Sequence, residues 1–374
     1  MQRSTLDGAN ATRLLAASTI LLFHLIRMPS LEFPSSVRYI YEFGGYGVPL
    51  FYILSAFVLC YGYFGNLNTR SQVIDFYVRR FFRIAPFYYF MMAIFFAWHL
   101  VVFNGYVIPL DKMFISATFL FNLVPGYAEG VVWASWSIGV EMLFYAIFPL
   151  VSWLAFSLGR SVALFATAVC INAAWRYFFI IGNDDKVLAS FATSSIFNQL
   201  HYFAAGVVAF WAWKKWNSMV PHRLVIAAAL FCIGLLATFA PSIMHYYSKV
   251  FGAFWATAFA ATWAAALALL VAGFGFDRFR LKSLAWTAKL GEASFSIYLW
   301  HPLVIGSLNM AGAYKWLYAS LPGVAAPFFA SAALTFAIVL PLSSLSYEFI
   351  EKRASFMLRR AFVNATKARP PITI

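Results

Sequence analysis

Apolar runs long enough to cross a lipid bilayer recur along this chain, and they decide its class before any single residue is weighed. They fall at roughly 10–28, 47–64, 84–103, 137–158, 161–181, 196–213, 223–240, 252–272, 292–311 and 324–346. Each is close to the roughly 20 residues needed to span the hydrocarbon. Of 374 residues, 63% are hydrophobic and 11% charged, against about a half and a quarter in soluble domains. A soluble fold of this length could not cover so much apolar surface. A transmembrane β-barrel would show short alternating segments, whereas these runs are continuous. The expected fold is therefore all-α: a polytopic integral membrane protein of about ten transmembrane helices.

The first run follows a short polar head, as in a signal peptide. It carries Arg13 and His24 and has no small-residue cleavage site after it, so it reads as a retained span. Orientation comes from the basic residues. With the N-terminus inside, the outer segments hold only Arg27, Arg38, Lys112, Arg176, Lys186, Lys249 and Lys315, and most of the 27 Lys and Arg fall on the cytoplasmic side. An even number of spans then puts both termini in the cytoplasm. The net charge of +14 is accounted for by this orientation and by anionic headgroups. No nucleic-acid partner is expected, although a basic inner face would also draw an anionic cofactor. The stretch 113–124 is apolar but short, as a half-helix in the outer interface would be. Residues 1–359 read as one transmembrane domain and 360–374 as a short disordered cytoplasmic tail. Cys60, Cys170 and Cys232 all lie in apolar runs, which does not suit a disulfide framework. No metal-ligand spacing, phosphate loop or dinucleotide fingerprint appears, so no metal is expected.

Ionisable residues inside spans are costly and mark function. Arg13 and His24 are eleven apart, which on a helix leaves about 20° of azimuth and about 16 Å of axial distance between them. One stripe thus carries a permanent cation toward the inside and a titratable base toward the outside. The ordinary alternative is a snorkelling Arg with an interfacial His. Glu141 lies one or two turns into a helix entering from the outer side, so its depth should match that of His24. Tyr145 shares its face. Trp136 and Ser137 stand at the same outer corner. A carboxylate kept there only for packing would still need a partner. His301, in the ninth span, is a further candidate, with helix anchoring as its simpler role. Arg80 and Arg83 share a face at the mouth of the third span, where guanidinium pairs suit phosphate. Positive-inside flanking explains them equally simply.

Six segments together resemble the integral membrane acyltransferase family three, which includes bacterial O-acetyltransferases of surface polysaccharides. They are Arg13 with His24; Gly44-Gly-Tyr-Gly47 through Ser55 to Phe57; Arg80-Phe-Phe-Arg83-Ile84-Ala-Pro86; Trp136-Ser137 through Glu141 to Tyr145, then Pro149; Ser294-Phe-Ser296-Ile-Tyr298-Leu-Trp300-His301-Pro302; and Tyr347-Glu-Phe-Ile-Glu351-Lys352. They stand in the family's order, and the resemblance covers nearly the whole chain. The chain departs from the family pattern at Pro49, Ala56 and Arg353, which bears on acceptor preference rather than on the Arg13–His24 pair. The resemblance implies an O-acyltransferase of the bacterial inner membrane. It would move an acyl group, acetyl by default, from cytoplasmic acyl-coenzyme A to a hydroxyl of an extracytoplasmic polysaccharide or lipid-linked sugar. His24 would be the base, with Glu141 and Tyr145 beside it. Arg13, Arg80 and Arg83 would hold the coenzyme phosphates, and Trp136, Ser137 and His301 would meet the acceptor. The rival readings are a secondary transporter or a flippase for an anionic or sugar-containing solute. Transporters tend to carry internal repeats and broken helices at matching places, and neither is evident in this sequence.

Overall fold

The computed structural model describes residues 7–102, 107–274 and 285–367, and no strand occurs among them. Arg3, Arg278, Arg280 and Lys282, four of the basic residues counted on the cytoplasmic side, lie outside these residues, as do 368–374 of the expected tail. The α-helices are α1 (Asp7–Arg27), α2 (Arg38–Phe43), α3 (Gly47–Tyr63), α4 (Arg70–Val102), α5 (Leu110–Ala117), α6 (Trp136–Leu154), α7 (Leu158–Phe179), α8 (Lys186–Ser194) and α9 (Ile196–Trp216). They continue with α10 (His222–Thr238), α11 (Ala240–Phe251), α12 (Trp255–Phe274), α13 (Ala285–Glu292), α14 (Ser294–Met310), α15 (Ala313–Ser320), α16 (Ala325–Ser346) and α17 (Ser355–Lys367). Residues 360–367, placed in the tail by sequence, continue the last helix.

Every expected span lies on a helix, but seven helical stretches among the described residues are long and apolar enough to cross a membrane. The expected count of ten is not reached on length and composition. Of the other three, α10 and α14 have 17 residues each, and α9 carries Asn198, Gln199, His201, Lys214 and Lys215. The seven include α7, whose most apolar window is only 11% buried inside the protein. Cys170 on this helix is exposed. Such a face needs lipid against it.

At the other extreme, α3 is apolar all round, and Ile53, Ala56 and Phe57 on it are wholly buried. It packs against α1, α9 and α12 and touches α6. Gly206 lets α9 come close, since a Cβ there would stand 2.2 Å from the Ile53 carbonyl oxygen. Helix α1 also contacts α13 and α14, and α4 contacts α6, α14 and α17. Residues of α1, α3, α4, α6 and α14 therefore face one interior region. The prolines within α4, α6, α14 and α16 are tolerated because neighbouring helices and side chains satisfy the backbone groups they free.

The connection between α5 and α6 is not a surface loop. Phe121, Asn122, Val132 and Ser135 on it are fully buried. Some of its polar groups are answered inside the protein: Asn122 Nδ2 donates to the Ser194 carbonyl at 3.0 Å, and Val131 N–H donates to Ser116 Oγ at 3.0 Å, while Asn122 Oδ1 has no hydrogen-bond partner among the described residues. The expected half-helix is thus one eight-residue helix followed by chain that dips among the spans. Helix α6 starts at the bottom of this dip, with Ala134 just ahead of it at φ 63°, a conformation L residues rarely adopt. Gly139 makes the fit: a Cβ there would lie 1.9 Å from Asn122 Oδ1 and 2.6 Å from the Phe121 ring. Overpacking of this kind costs about 1–3 kcal/mol. Gly139→Ala should therefore lower the thermal unfolding temperature of the detergent-purified protein by several degrees, whereas Gly159→Ala, with nothing near its Cβ, should leave it unchanged.

Candidate active site

Helices α1, α3, α4, α6 and α14 enclose a cavity of about 110 Å³ lined by Arg13, Ser55, Arg80, Arg83, Ser137, Glu141, Tyr145 and Tyr298 among others. Six of the nine residues singled out by sequence meet here. Ser55 Oγ donates to Glu141 Oε1 at 2.7 Å, and the Tyr145 hydroxyl donates to the same oxygen. Glu141 is close enough to Arg13 and Arg80 to interact electrostatically with both. Each arginine is partly answered. Arg13 Nη1 donates to Asn10 Oδ1 at 2.7 Å, and Arg80 Nη2 to the Tyr63 hydroxyl at 3.0 Å. Arg83 Nη1 lies 3.3 Å from Glu351 Oε2. The Nε–H of Arg80 is buried and has no hydrogen-bond partner among the described residues.

Glu351 was not among the expected site residues. Its segment, Tyr347–Ala354, is π-helical between α16 and α17, a geometry that recurs at functional sites. Its side chain is fully buried beside an Arg83 that is 38% exposed. Its other oxygen accepts from Ser296 Oγ at 2.5 Å.

His24 does not line this cavity. Its Nδ1 lies 2.8 Å from Nε2 of His301, with the two rings stacked. His301 is completely buried. The following Pro302 has no N–H for the Tyr298 carbonyl, and the backbone of Tyr298 is a polar neighbour of the His301 ring. The Tyr298 ring is 5.5 Å from that of His301. Its hydroxyl reaches Ser137 Oγ and the Ala134 carbonyl, each at 2.7 Å. Tyr298 thus joins the histidine pair to the cavity.

The expected match in depth between Glu141 and His24 does not hold. The expectation counted turns from the outer surface, but α6 begins within the buried connection, and Glu141 lines one cavity with Arg13 while His24 does not. Nor is the α1 stripe open between Arg13 and His24. Ala17, Ile20 and Leu21 lie there at no more than 1% exposure, packed in apolar clusters.

Trp136 is separated from Ser137. It lines a second pocket of about 340 Å³ with Arg27, Glu42, Tyr46, Pro49, Arg176, His201 and Tyr202. Phe23, next to His24, borders this pocket, and Val48 borders both. The nine expected residues therefore divide into an arginine-lined pocket with six of them, a histidine pair, and Trp136 in a second pocket.

A family profile described as an acyltransferase domain matches residues 6–345. The chain belongs to acyltransferase family three. This acyltransferase is 27% identical over 296 residues to the exopolysaccharide production protein ExoZ of Rhizobium meliloti, covering 73% of the present chain and 80% of that one. It is 23% identical over 384 residues to "Putative peptidoglycan O-acetyltransferase YrhL" of Bacillus subtilis. There the match covers 93% of the present chain but 54% of the relative. No solved structure matches it.

Two of the acyltransferase's departures from the family pattern now have places. Pro49 borders the second pocket, and Arg353 pairs with Glu348 at 3.3 Å on an exposed face. Among the described residues no group of three His, Cys, Asp or Glu could hold a metal. The Arg83–Glu351 pair is asymmetric in exposure, and that gives a test. Loss of Arg83 leaves a buried carboxylate uncompensated, which is strongly destabilising. Loss of Glu351 leaves a half-exposed guanidinium that water reaches. Arg83→Gln should therefore lower the unfolding temperature in detergent more than Glu351→Gln does; the reverse order would show that the pair contributes nothing through burial.

Proposed function

We propose that this acyltransferase moves an acyl group from cytoplasmic acyl-coenzyme A to a hydroxyl of an extracytoplasmic polysaccharide or lipid-linked sugar, and that it does so as a multi-pass protein of the bacterial inner membrane. The names of the relatives support the class of acceptor, and the distribution of Lys and Arg supports the orientation. The observation that carries the reading is the His24–His301 pair, joined to the arginine-lined pocket through Tyr298 and to the second pocket through Phe23.

The arginine pocket suits a phosphate-bearing donor. The orphaned Arg80 Nε–H is a donor in need of an acceptor. Arg13, Arg80 and Arg83 outnumber Glu141 and Glu351, so one positive charge remains uncompensated when all are ionised. A phosphate gives a buried guanidinium charge-assisted bonds that offset its desolvation. At about 110 Å³ the cavity is smaller than the roughly 300–1,000 Å³ of ligand pockets, so donor entry requires it to widen.

In this reading His301 takes the tautomer with its proton on Nδ1, on the side of the Tyr298 backbone, although Nδ1 makes no well-formed hydrogen bond among the described residues. His301 Nε2 then accepts from His24 Nδ1–H. The lone pair on His24 Nε2 is then free to act as base. It removes the proton of the acceptor hydroxyl as that oxygen attacks the thioester carbonyl carbon. The carbon–sulfur bond breaks, and the departing thiolate takes the proton from His24. His301 is thus a positioning residue rather than an acceptor contact. A positioned general base contributes roughly 10²–10⁴-fold. His24→Ala should fold and bind acyl-coenzyme A but lose transfer by about that factor; near-normal turnover would remove His24 from the mechanism. His301→Gln should lower kcat with little change in KM for the donor. The arginines should behave oppositely. Because Lys lacks the bidentate fork, Arg13→Lys, Arg80→Lys and Arg83→Lys should raise KM for acyl-coenzyme A with correct insertion retained. Unchanged donor affinity in all three would return them to the role of membrane anchors.

A further inference from the structure

The second pocket contains polar groups that the reaction just described does not use. His201 on α9 is 2% exposed, yet neither ring nitrogen has a well-formed hydrogen bond among the described residues. A buried imidazole carries one donor and one acceptor; the Asn198 backbone is a polar neighbour of this ring, but without a well-formed bond at either nitrogen its burial is costly. Across from it, Arg176 in the last turn of α7 has no carboxylate within ion-pair distance among the described residues; Tyr46 and Tyr202 stand beside it instead. A second cation, Arg27, lies over the rings of Phe23 and Tyr41 at 4.8 and 4.6 Å. The one carboxylate on the wall, Glu42, is occupied by Arg38 at 2.7 Å.

The floor of the pocket is fixed in advance. Asn172 Nδ2 donates to Asn198 Oδ1 at 3.0 Å and to its carbonyl at 2.8 Å, and Thr257 donates to Asn172 Oδ1 at 2.8 Å. Asn198 and Gln199 donate in turn to the Thr193 carbonyl at 2.8 and 3.0 Å. These amides hold the start of α9, and with it His201, against α7. The pocket's 340 Å³ is of ligand size. It therefore has a positive wall, an unanswered donor–acceptor pair, and in Trp136 an indole for an apolar ligand face.

From this geometry we propose that the second pocket binds an acidic sugar of the acceptor glycan. The carboxylate of the sugar pairs with Arg176, supported by the field of Arg27, and a ring hydroxyl meets His201. The identification of the pocket as an acceptor site rests on the function proposed above; its preference for an acid rests on the pocket alone. A phosphate-bearing headgroup would share the charge chemistry. The unanswered histidine and the indole favour a ligand with hydroxyls and an apolar ring face.

The test is binding to the full chain in nanodiscs of zwitterionic lipid. The probes are a short oligosaccharide containing glucuronic acid and its glucose counterpart. The acidic probe should bind at least about tenfold more tightly, as expected for a hydrogen bond to a charged group, and the advantage should shrink with added salt. Arg176→Gln should abolish it, Arg176→Lys should keep part of it, and His201→Phe should weaken both probes. Equal binding of the two probes by the unmodified protein would overturn the proposal, as would a preference that survives Arg176→Gln. Competition by inorganic phosphate or by phosphatidylglycerol at concentrations where glucuronate competes equally would also overturn it, assigning the pocket to a headgroup. Transfer assays keep the two claims apart. Acylation of neutral and acidic glycans at equal rates would sink the acidic preference alone. Tight binding of the acidic probe with no acyl transfer to any glycan would sink the acceptor reading alone.

Discussion

Charge buried among apolar helices has to be answered by the protein itself, and here the answer is a cluster of arginines, carboxylates and phenols. Arg13, Arg80 and Arg83 come from two helices; Glu141 and Glu351 come from α6 and from the π-helical turn before α17. None of these helices is held in place by its own sequence preference, since most are apolar nearly all round. In lipid, apolar contact between helices gives little direction. The polar groups supply it. Ser55 ties α3 to α6 through Glu141, and Ser296 and Arg83 tie α14 and α4 to the turn at Glu351. The cluster that would recognise a phosphate is thus also the one that fixes which helix faces which.

The histidine pair depends on a different device. His301 lies just ahead of Pro302, and the proline frees a carbonyl in the turn below the imidazole. A residue that would break a helix in water here leaves a backbone carbonyl unpaired one turn below a buried imidazole. Tyr298, one turn earlier, spends its hydroxyl on Ser137 and on the carbonyl of Ala134. Ala134 is held in the left-handed region directly before α6. The end of the buried connection, the start of α6 and the middle of α14 are thereby locked together.

Much of this was legible in the sequence, for physical reasons. Span positions follow from the length of apolar runs, and all ten expected segments lie on helices. The grouping of Arg13, Arg80 and Arg83 followed from asking which side chains lipid would not tolerate; that Ser137, Glu141 and Tyr145 join them, rather than His24, did not. What failed was depth. Glu141 was placed by counting turns from an outer surface, whereas α6 starts among buried residues, with Ser135 and Ser137 both covered; nothing in the composition of 113–135 says that it folds inward, and only Gly139 hints at the close approach. Trp136 was grouped with Ser137 because they are neighbours in sequence, although adjacent helical residues point about 100° apart. Glu351 stood in a recognised segment, but its partner, Arg83, is 268 positions away. Arg176 and His201 were passed over because one was counted as an outer basic residue and the other sits in an apolar run.

The π-helical turn at Tyr347–Ala354 has a consequence for how this chain can vary. Such a turn accommodates one residue more than an α-helical path would. Removing a single residue from it would restore regular helix and leave the rotation beyond it nearly unchanged. The face of α17 now turned to α4 would stay there, while Glu351, which lies inside the turn, would meet Arg83 from a new place on the helix. In regular helix a lost residue turns everything beyond it by about 100°. A one-residue deletion within Tyr347–Ala354 is thus one that α17 can absorb, and its cost falls on the ion pair rather than on the packing of the last helix.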